Sequence, residues 1–224
     1  SSRDEAILDG DENWTITNSG SDVTITIDNN GTTFSKTFNN VDRVVAYGGE
    51  GNDTFDASGL NGIPVFIDGG AGNDTITLGA GHATTASLLI GGDGNDTITV
   101  NGGGSIDFRP GKDNDTLSLG TGVNRVNTVG GSDTISGGGS GGENTINFLF
   151  GFGNVNLTGM ATDSAKTILD LSDIPVPTLG RLSDGSSTID AGGGSLATFN
   201  LPTITEILGG GGRDEWTFTN PVTN

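Results

Sequence analysis

A nine-residue phrase recurs along the first half of the chain. It reads GGEGNDTFD at 48–56, GGAGNDTIT at 69–77 and GGDGNDTIT at 91–99, and a version with fewer glycines, PGKDNDTLS, follows at 110–118. Position 6 of the phrase is always aspartate, held by Asp53, Asp74, Asp96 and Asp115, and Asp133 continues the series. The steps between these aspartates are 21, 22, 19 and 18 residues. Such spacing predicts a solenoid in which each coil carries one phrase.

Apolar residues alternate on both sides of the phrase, which is the pattern of strands with one buried face. Position 8 holds Phe55, Ile76, Ile98, Leu117 and Ile135, and position 10 holds Ala57, Leu78, Val100, Leu119 and Gly137. Two residues before the phrase (position −2) lie Ala46, Ile67, Leu89, Phe108 and Val126, and four before it (position −4) lie Val44, Val65, Ser87, Ile106 and Asn124. These four rows predict the core. The fold class expected is all-β: a right-handed parallel β-helix or β-roll solenoid with coils of roughly 20 residues.

Threonine occupies position 7 in five successive coils, as Thr54, Thr75, Thr97, Thr116 and Thr134, and position 9 there is mostly threonine or serine. Because a β-branched hydroxyl side chain suits a half-exposed pleated surface, this ladder predicts a solvated strand face. An array that orders water for ice binding is disfavoured, since the ladder is short and changes to serine.

The chain divides into four segments of one elongated domain over residues 1–224. Residues 1–40 contain no phrase. They are expected to form a flexible acidic arm and a capping β-hairpin, with strands at 22–28 and 32–38 joined by an Asn-Gly turn and with Trp14 in the core of the cap. Residues 41–137 are the phrase-bearing coils, and residues 138–208 are degenerate coils with strand-like runs at 144–150, 166–172 and 196–201. Residues 209–224 hold a final phrase.

Two segments of the second half fit the phrase less regularly. GSGGENTIN (139–147) has Asn144 in place of aspartate, but it lies only 11 residues beyond Asp133. LGGGGRDEWTF restores the frame, with Asp214 at position 6, Trp216 at position 8, Phe218 at position 10 and Ile207 at position −2. The solenoid is therefore expected to continue to the final phrase with fewer metal sites.

The composition favours a cation-binding exported protein. The net charge is −19, 41 residues are glycine, and cysteine is absent. Nucleic acid and anionic membranes are poor partners for such a surface, and neither a transmembrane run nor a secretory signal peptide is recognised. Each bound divalent cation would cancel two charges and relieve repulsion between stacked carboxylates.

Calcium suits the phrase chemically, because Ca²⁺ takes six to eight oxygen ligands in flexible geometry and accepts carbonyls. Glycines at positions 1, 2 and 4 are expected to adopt positive φ and turn carbonyls inward, while the aspartate supplies charge. One loop offers too few oxygens, so each site is expected between two consecutive coils. Aspartate, glycine and asparagine also mark ordinary turns, but tandem copies in frame with a core favour the metal.

The phrases GGEGNDTFD, GGAGNDTIT and GGDGNDTIT resemble the RTX (hemolysin-type) calcium-binding repeat, which forms a parallel β-roll when it binds calcium. In that family the ligands are the position-6 carboxylate and carbonyls of the glycine-rich turn. The resemblance implies Asp53, Asp74 and Asp96 as side-chain ligands, and Asp115, Asp133 and Asp214 by their place in the frame. It implies carbonyl ligands within 48–51, 69–72 and 91–94, among them Gly48, Glu50, Gly69, Ala71, Gly91 and Asp93.

Two departures from the family pattern stand out. RTX motifs follow one another about nine residues apart and give two metal rows, whereas the spacing here implies several Ca²⁺ ions in one row. The fourth phrase also replaces glycines by Pro110 and Asp113, and Asp113 is either an extra ligand or a tolerated loop residue.

No catalytic set is evident, because His82 is the single histidine and lies in a variable stretch. The chain is therefore expected to be a non-enzymatic, secreted or cell-surface calcium-binding protein of bacterial type. We expect a structural role in a surface layer, filament or matrix, with self-assembly through the solenoid ends and the N-terminal arm. A module of a large RTX adhesin and a polysaccharide-modifying β-helix enzyme are the alternatives, and a surface polysaccharide is a further possible partner.

Overall fold

A computed structural model describes residues 10–81, 86–138, 142–160, 166–175, 179–183, 187–192, 195–199, 204, 206–211 and 214–219. In these ranges every regular element is a β-strand, and no helix capable of crossing a membrane occurs among them. In chain order the strands are β1 (Glu12–Ser19), β2 (Asp22–Asn29), β3 (Thr32–Phe38), β4 (Val44–Glu50), β5 (Thr54–Gly59), β6 (Val65–Ala71), β7 (Thr75–Leu78), β8 (Ala86–Asp93), β9 (Thr97–Val100), β10 (Ser105–Gly111), β11 (Thr116–Leu119), β12 (Val123–Thr128), β13 (Ser132–Gly137), β14 (Glu143–Phe148), β15 (Asn154–Thr158), β16 (Lys166–Asp170), β17 (Leu179–Ser183), β18 (Ser187–Gly192), β19 (Ser195–Phe199), β20 (Glu206–Leu208) and β21 (Glu215–Thr219).

The strands form two sheets, and each phrase-bearing coil gives one strand to each of them. The 8-stranded sheet runs β20-β16-β14-β12-β10-β8-β6-β4, and the 13-stranded sheet runs β21-β17-β18-β19-β15-β13-β11-β9-β7-β5-β1-β2-β3. Equivalent residues of successive coils pair in parallel register, as Thr54 does with Thr75 and Thr75 with Thr97. The predicted parallel solenoid with coils of roughly 20 residues is therefore confirmed.

The core lies between the two sheets and includes the four predicted rows, together with residues outside them such as Leu60, Phe148 and Phe152. Position 8 is fully buried from Phe55 to Ile135, and the −2 row continues through Ile146 and Leu169 in the second half. Burial of one such side chain stabilises a fold by about 1.5–3 kcal/mol. Because each row repeats its side chain in every coil, the core is narrow but continuous along the stack.

The N-terminal cap contains the predicted hairpin and one further strand. Strands β2 and β3 pair in antiparallel fashion around a turn in which Asn30 and Gly31 have φ of 50° and 84°. Strand β1 pairs with β2 and also runs parallel to β5, so it joins the cap to the first coil. Trp14 stacks on Phe55, with ring centroids 5.4 Å apart. Of the predicted arm at residues 1–11, residues 1–9 lie outside the described residues. Gly10 and Asp11 do not belong to a flexible arm, because the Gly10 amide donates to the Glu50 carbonyl at 2.8 Å and Asp11 Oδ1 accepts from the Asn52 amide at 2.7 Å.

The second half departs from the simple coil pattern. Asn144 lies on β14 and pairs in register with Asn124 in the 8-stranded sheet, so it belongs to the wall opposite the aspartates and does not continue their series. Val155 takes the place opposite Asp133 instead. Strands β17 and β18 form an antiparallel insertion between β19 and β21. His82 and the side chains of Trp216 and Phe218 lie outside the described part of the structure.

Candidate functional site

The five position-6 aspartates form one column inside the solenoid. The first four lie immediately before a strand of the 13-stranded sheet and Asp133 is the second residue of β13, and the parallel register stacks them coil on coil. All five are 1% exposed: Asp53, Asp74, Asp96, Asp115 and Asp133. We call this set the aspartate column. Buried carboxylates are costly unless they are compensated, so their partners decide what the column does.

One oxygen of each carboxylate is hydrogen-bonded to the backbone of the preceding coil. The Asp53 amide donates to Asp74 Oδ1 at 2.7 Å, the Asp74 amide to Asp96 Oδ1 at 2.8 Å, and the Asp96 amide to Asp115 Oδ1 at 2.8 Å. The Glu12 amide begins the series on Asp53 Oδ1, and the Asp115 amide ends it on Asp133 Oδ1 at 3.1 Å. These bonds hold consecutive coils in register at the turn.

The second oxygen of each carboxylate has no hydrogen-bond partner. Oδ2 of Asp53, Asp74, Asp96, Asp115 and Asp133 is buried and unsatisfied. A buried polar atom in this state costs about 1–3 kcal/mol and more if it is charged, so a run of five in one column requires an explanation.

In three coils, the unsatisfied oxygen and a carbonyl oxygen of the following coil both border position 1 of the phrase. A side chain at Gly48 would collide with both Asp53 Oδ2 and the Gly69 carbonyl oxygen. The same pair recurs at Gly69, where Asp74 Oδ2 meets the Gly91 carbonyl, and at Gly91, where Asp96 Oδ2 meets the Pro110 carbonyl. Oxygen ligands from two consecutive coils therefore converge at position 1 of each intact phrase, where the absence of a side chain leaves room for them.

The glycines of the phrase have two different roles, which corrects the expectation of positive φ at positions 1, 2 and 4. At position 2, Gly49 has φ of 105°, and at position 4, Gly51 has φ of 122°, so both need glycine for their backbone conformation. Gly48, Gly69 and Gly91 at position 1 are absent from the positive-φ residues. Position 1 requires a missing side chain rather than an unusual backbone.

Burial raises the pKa of the column carboxylates above the ordinary aspartate value of 3.8. The pKa of Asp74 and of Asp115 rises to about 6, and that of Asp96 and of Asp133 to about 7, in each case mainly through desolvation. The backbone hydrogen bond to each carboxylate lowers the pKa but does not offset the burial. The metal-free column therefore holds protons more tightly than an exposed aspartate.

The fourth phrase keeps this arrangement despite its lost glycines. Pro110 stands at position 1, where no positive φ is needed, and its carbonyl replaces that of the glycine. Gly111 keeps φ of 127° at position 2. Asp113, at position 4, is exposed and its carboxylate accepts a hydrogen bond from the Gly94 amide at 3.0 Å. Asp113 thus has a backbone partner outside the aspartate column.

The predicted carbonyls at position 3 take part in hydrogen bonds between coils. The Glu50, Ala71 and Asp93 carbonyls each accept a hydrogen bond from a position-4 amide of the preceding coil, from Gly10, Gly51 and Gly72, at 2.8 Å. Their second lone pairs remain for a ligand. Asp214 repeats the position-1 arrangement in the final phrase, because a side chain at Gly209 would lie 2.5 Å from Asp214 Oδ2.

A second ladder, which the sequence analysis did not assign, runs along the outside of the same turn. The amide of each position-5 asparagine donates to the side chain of the preceding coil: Asn73 to Asn52 at 2.8 Å, Asn95 to Asn73 at 2.7 Å and Asn114 to Asn95 at 2.9 Å. The signal was the asparagine before every phrase aspartate. This outer ladder runs opposite in direction to the aspartate column, so both neighbours of a coil hold it.

The donor set fits calcium better than it fits other metals. No three His, Cys, Asp or Glu side chains converge among the described residues, which leaves sites built from one or two carboxylates and main-chain carbonyls. Oxygen ligands of that kind suit Ca²⁺, whereas zinc prefers cysteine and histidine. A cation bound between the paired oxygens at positions 1 and 6 would satisfy both of them.

No family model, curated protein or solved structure matches this chain.

Proposed function

We propose that this chain is an extracellular calcium-binding structural protein whose coils are locked together by a row of Ca²⁺ ions. The ions would lie between consecutive turns, each held by column carboxylates and by carbonyls of the glycine-rich turn. The same proposal includes that the glycine-rich phrases of this chain are related to the RTX calcium-binding repeat. The observation that carries it is the run of five buried, unsatisfied Oδ2 atoms, which is costly without a cation.

Calcium would act on folding as well as on charge. Stacking the coils without metal brings buried carboxylates of like charge together on a chain of net charge −19. Since the sites need two stacked coils, the unfolded chain offers none, and the binding free energy adds to the stability of the fold. The five carboxylates define four interfaces between successive coils, so we expect about four ions in this row.

Calcium titration into chelator-treated protein tests the proposal. We expect the midpoint of thermal unfolding, followed by circular dichroism, to rise steeply with Ca²⁺ over the range of extracellular modules, about 10⁻⁴–10⁻³ M. Mg²⁺ serves as the control, because it demands near-octahedral geometry at shorter distances and gives up its water reluctantly. A protein that is fully folded and equally stable in excess chelator would refute the calcium row.

The assembly role is the second part of the proposal. The 13-stranded sheet ends at β3, where Phe34 and Phe38 are 59% and 37% exposed, and the 8-stranded sheet ends at β4. Exposed strand edges and aromatic side chains favour contact between chains. Electron microscopy with and without calcium tests this part separately: filaments or layers support a building block, and monodisperse particles at all concentrations oppose it.

A further inference from the structure

The two outer faces of the solenoid differ in chemistry. On the 13-stranded sheet the outward residues of β5, β7, β9, β11 and β13 are threonine and serine apart from Asp56. On the 8-stranded sheet the outward residues of β4, β6, β8, β10 and β12 are apolar, aromatic or charged: Val45, Tyr47, Phe66, Asp68, Leu88, Ile90, Asp107, Arg109, Arg125 and Asn127. We call this second surface the mixed face.

One half of the mixed face is aromatic and apolar. Tyr47 on β4 is 58% exposed, and its ring contacts that of Phe66 on β6, with centroids 5.4 Å apart and planes tilted by 52°. Leu88 lies beside Phe66 in register, and Ile90 follows Asp68. This half is a flat surface with an exposed ring at its end.

The other half carries two arginines. Arg109 on β10 and Arg125 on β12 line an open depression of about 460 Å³ together with Asp107 and apolar residues such as Ile90 and Leu149. Arg109 forms an ion pair with Asp107, 3.4 Å away, and pairs in contact with solvent contribute about 0–1 kcal/mol. The Asn127 amide is fixed by a 2.7 Å hydrogen bond to Asp107. Both guanidinium groups are therefore available to an external anion.

This placement is unusual for the chain. Only nine of its residues are lysine or arginine, against 28 acidic ones. Two of the nine border one depression, although the net charge would favour scattering them among carboxylates. A guanidinium group binds a carboxylate through two parallel hydrogen bonds, which gives geometric selectivity as well as charge.

We propose that the mixed face binds an acidic polysaccharide along the solenoid axis. Arg109 and Arg125 would hold the carboxylates of uronic-acid units, and the exposed ring of Tyr47 would pack against the apolar face of a sugar further along the chain. From β4 to β12 there are four strand spacings, or about 19 Å, so the ligand is an oligomer rather than a single sugar. With two arginines and one aspartate, the depression carries a net positive charge, which favours an acidic polymer over a neutral one.

Titration calorimetry with a hyaluronan hexasaccharide tests this proposal. The buffer contains calcium and has low ionic strength. We expect Arg125→Gln to weaken binding about tenfold, the loss of one charge-assisted contact, and the double variant with Arg109→Gln to abolish it. Lys166→Gln is the matched control: it removes the same charge from an exposed residue of β16, paired with Glu206 at 3.2 Å, and leaves binding unchanged. A neutral chitin hexasaccharide is expected to bind at least tenfold more weakly.

Tyr47→Ala tests the aromatic contact independently of charge, and it is expected to weaken the binding of both oligosaccharides. Equal loss of binding in Arg125→Gln and Lys166→Gln would mean unspecific charge attraction and would overturn the proposal. Self-association that depends on Arg125, without binding of sugar, would also overturn it in favour of a second copy as partner. Circular dichroism of every variant checks the fold, so failure here leaves the calcium row untouched.

Discussion

Replacing Asp74 by asparagine separates the two functions of an aspartate in the column. Asparagine keeps an acceptor oxygen for the Asp53 amide, which now lies 2.7 Å from Asp74 Oδ1. It replaces the unsatisfied Oδ2 by an NH₂ group, which cannot bind a cation but can donate a hydrogen bond toward the Gly91 carbonyl. The substitution therefore preserves the ladder and removes a metal ligand.

Without calcium, we expect Asp74→Asn to stabilise the protein. The pKa of Asp74 rises from 3.8 to about 6, which corresponds to a cost of about 3 kcal/mol for the ionised carboxylate above that pH. The neutral amide avoids this cost but is itself buried, so the expected gain in the free energy of unfolding at pH 8 is about 1–3 kcal/mol.

With calcium, the order reverses. At a free concentration 100 times the dissociation constant, each site contributes about 2.7 kcal/mol to the stability of the wild-type protein. Asp74 lies between the coils of Asp53 and Asp96, so its loss affects two sites and removes up to about 5 kcal/mol.

Urea unfolding followed by circular dichroism, in chelator and in calcium, measures both effects. Asp56→Asn is the matched control, because it removes the same charge from an exposed position on the outer face of β5 and keeps an acceptor for the Ser58 amide. A variant that is destabilised by the same amount in both buffers would refute the reasoning and leave the column as a hydrogen-bond ladder alone.

Three further predictions concern the same turn. The pKa of Asp96 is about 7 in the folded state and near 3.8 in the unfolded state. In chelator, the protein should therefore become more stable as the pH falls from 7 toward 4. Urea midpoints that fall over this range would contradict the buried column. Gly69→Ala places a methyl group against the Asp74 carboxylate, so by the same assay it should lower the free energy of unfolding by at least 2 kcal/mol, about the cost of overpacking. Gly31→Ala in the open hairpin turn is the control and should cost about 1 kcal/mol, from its φ alone. Asn73→Ala removes an acceptor of the outer ladder and should cost about 1 kcal/mol while the calcium stoichiometry by titration calorimetry stays unchanged; lost ions would place the outer ladder in the metal site.

The core could be predicted from the sequence, because in a solenoid each buried row occupies the same position of every coil. Phe55, Ile76 and Ile98 occupy the same phrase position, and a residue that is buried in one coil is buried in the next. The hairpin around Asn30 and Gly31 was equally local, since its turn chemistry is confined to neighbouring residues. Both predictions needed only the frame of one coil and its repetition.

Features that depend on the contact between two coils could not be predicted from the repeating phrase alone. The direction of the hydrogen bonds to Asp74 and Asn73 requires two coils in contact, and so does the carbonyl that meets each Oδ2 atom. Glu12 was missed because its segment keeps only the position-4 glycine, Gly10, although Trp14 stands at position 8 relative to it. Strands β17 and β18 were missed because an antiparallel insertion interrupts the period.

The hydrogen bonds of the aspartate column also determine where the chain tolerates changes of length. Successive coils differ by up to four residues, with steps of 21, 22, 19 and 18, yet the amide-to-Oδ1 distances stay between 2.7 and 3.1 Å. All of this variation falls on the opposite corner, where a strand of the 13-stranded sheet returns to the 8-stranded sheet. The aspartate column therefore fixes the length of one corner only. Hydrogen bonds also join the coils at the other corner, as from the Thr121 amide to the Gly102 carbonyl at 2.9 Å, so a foreign peptide is best inserted at the exposed Asn101 or Thr121, where it would leave the column unchanged.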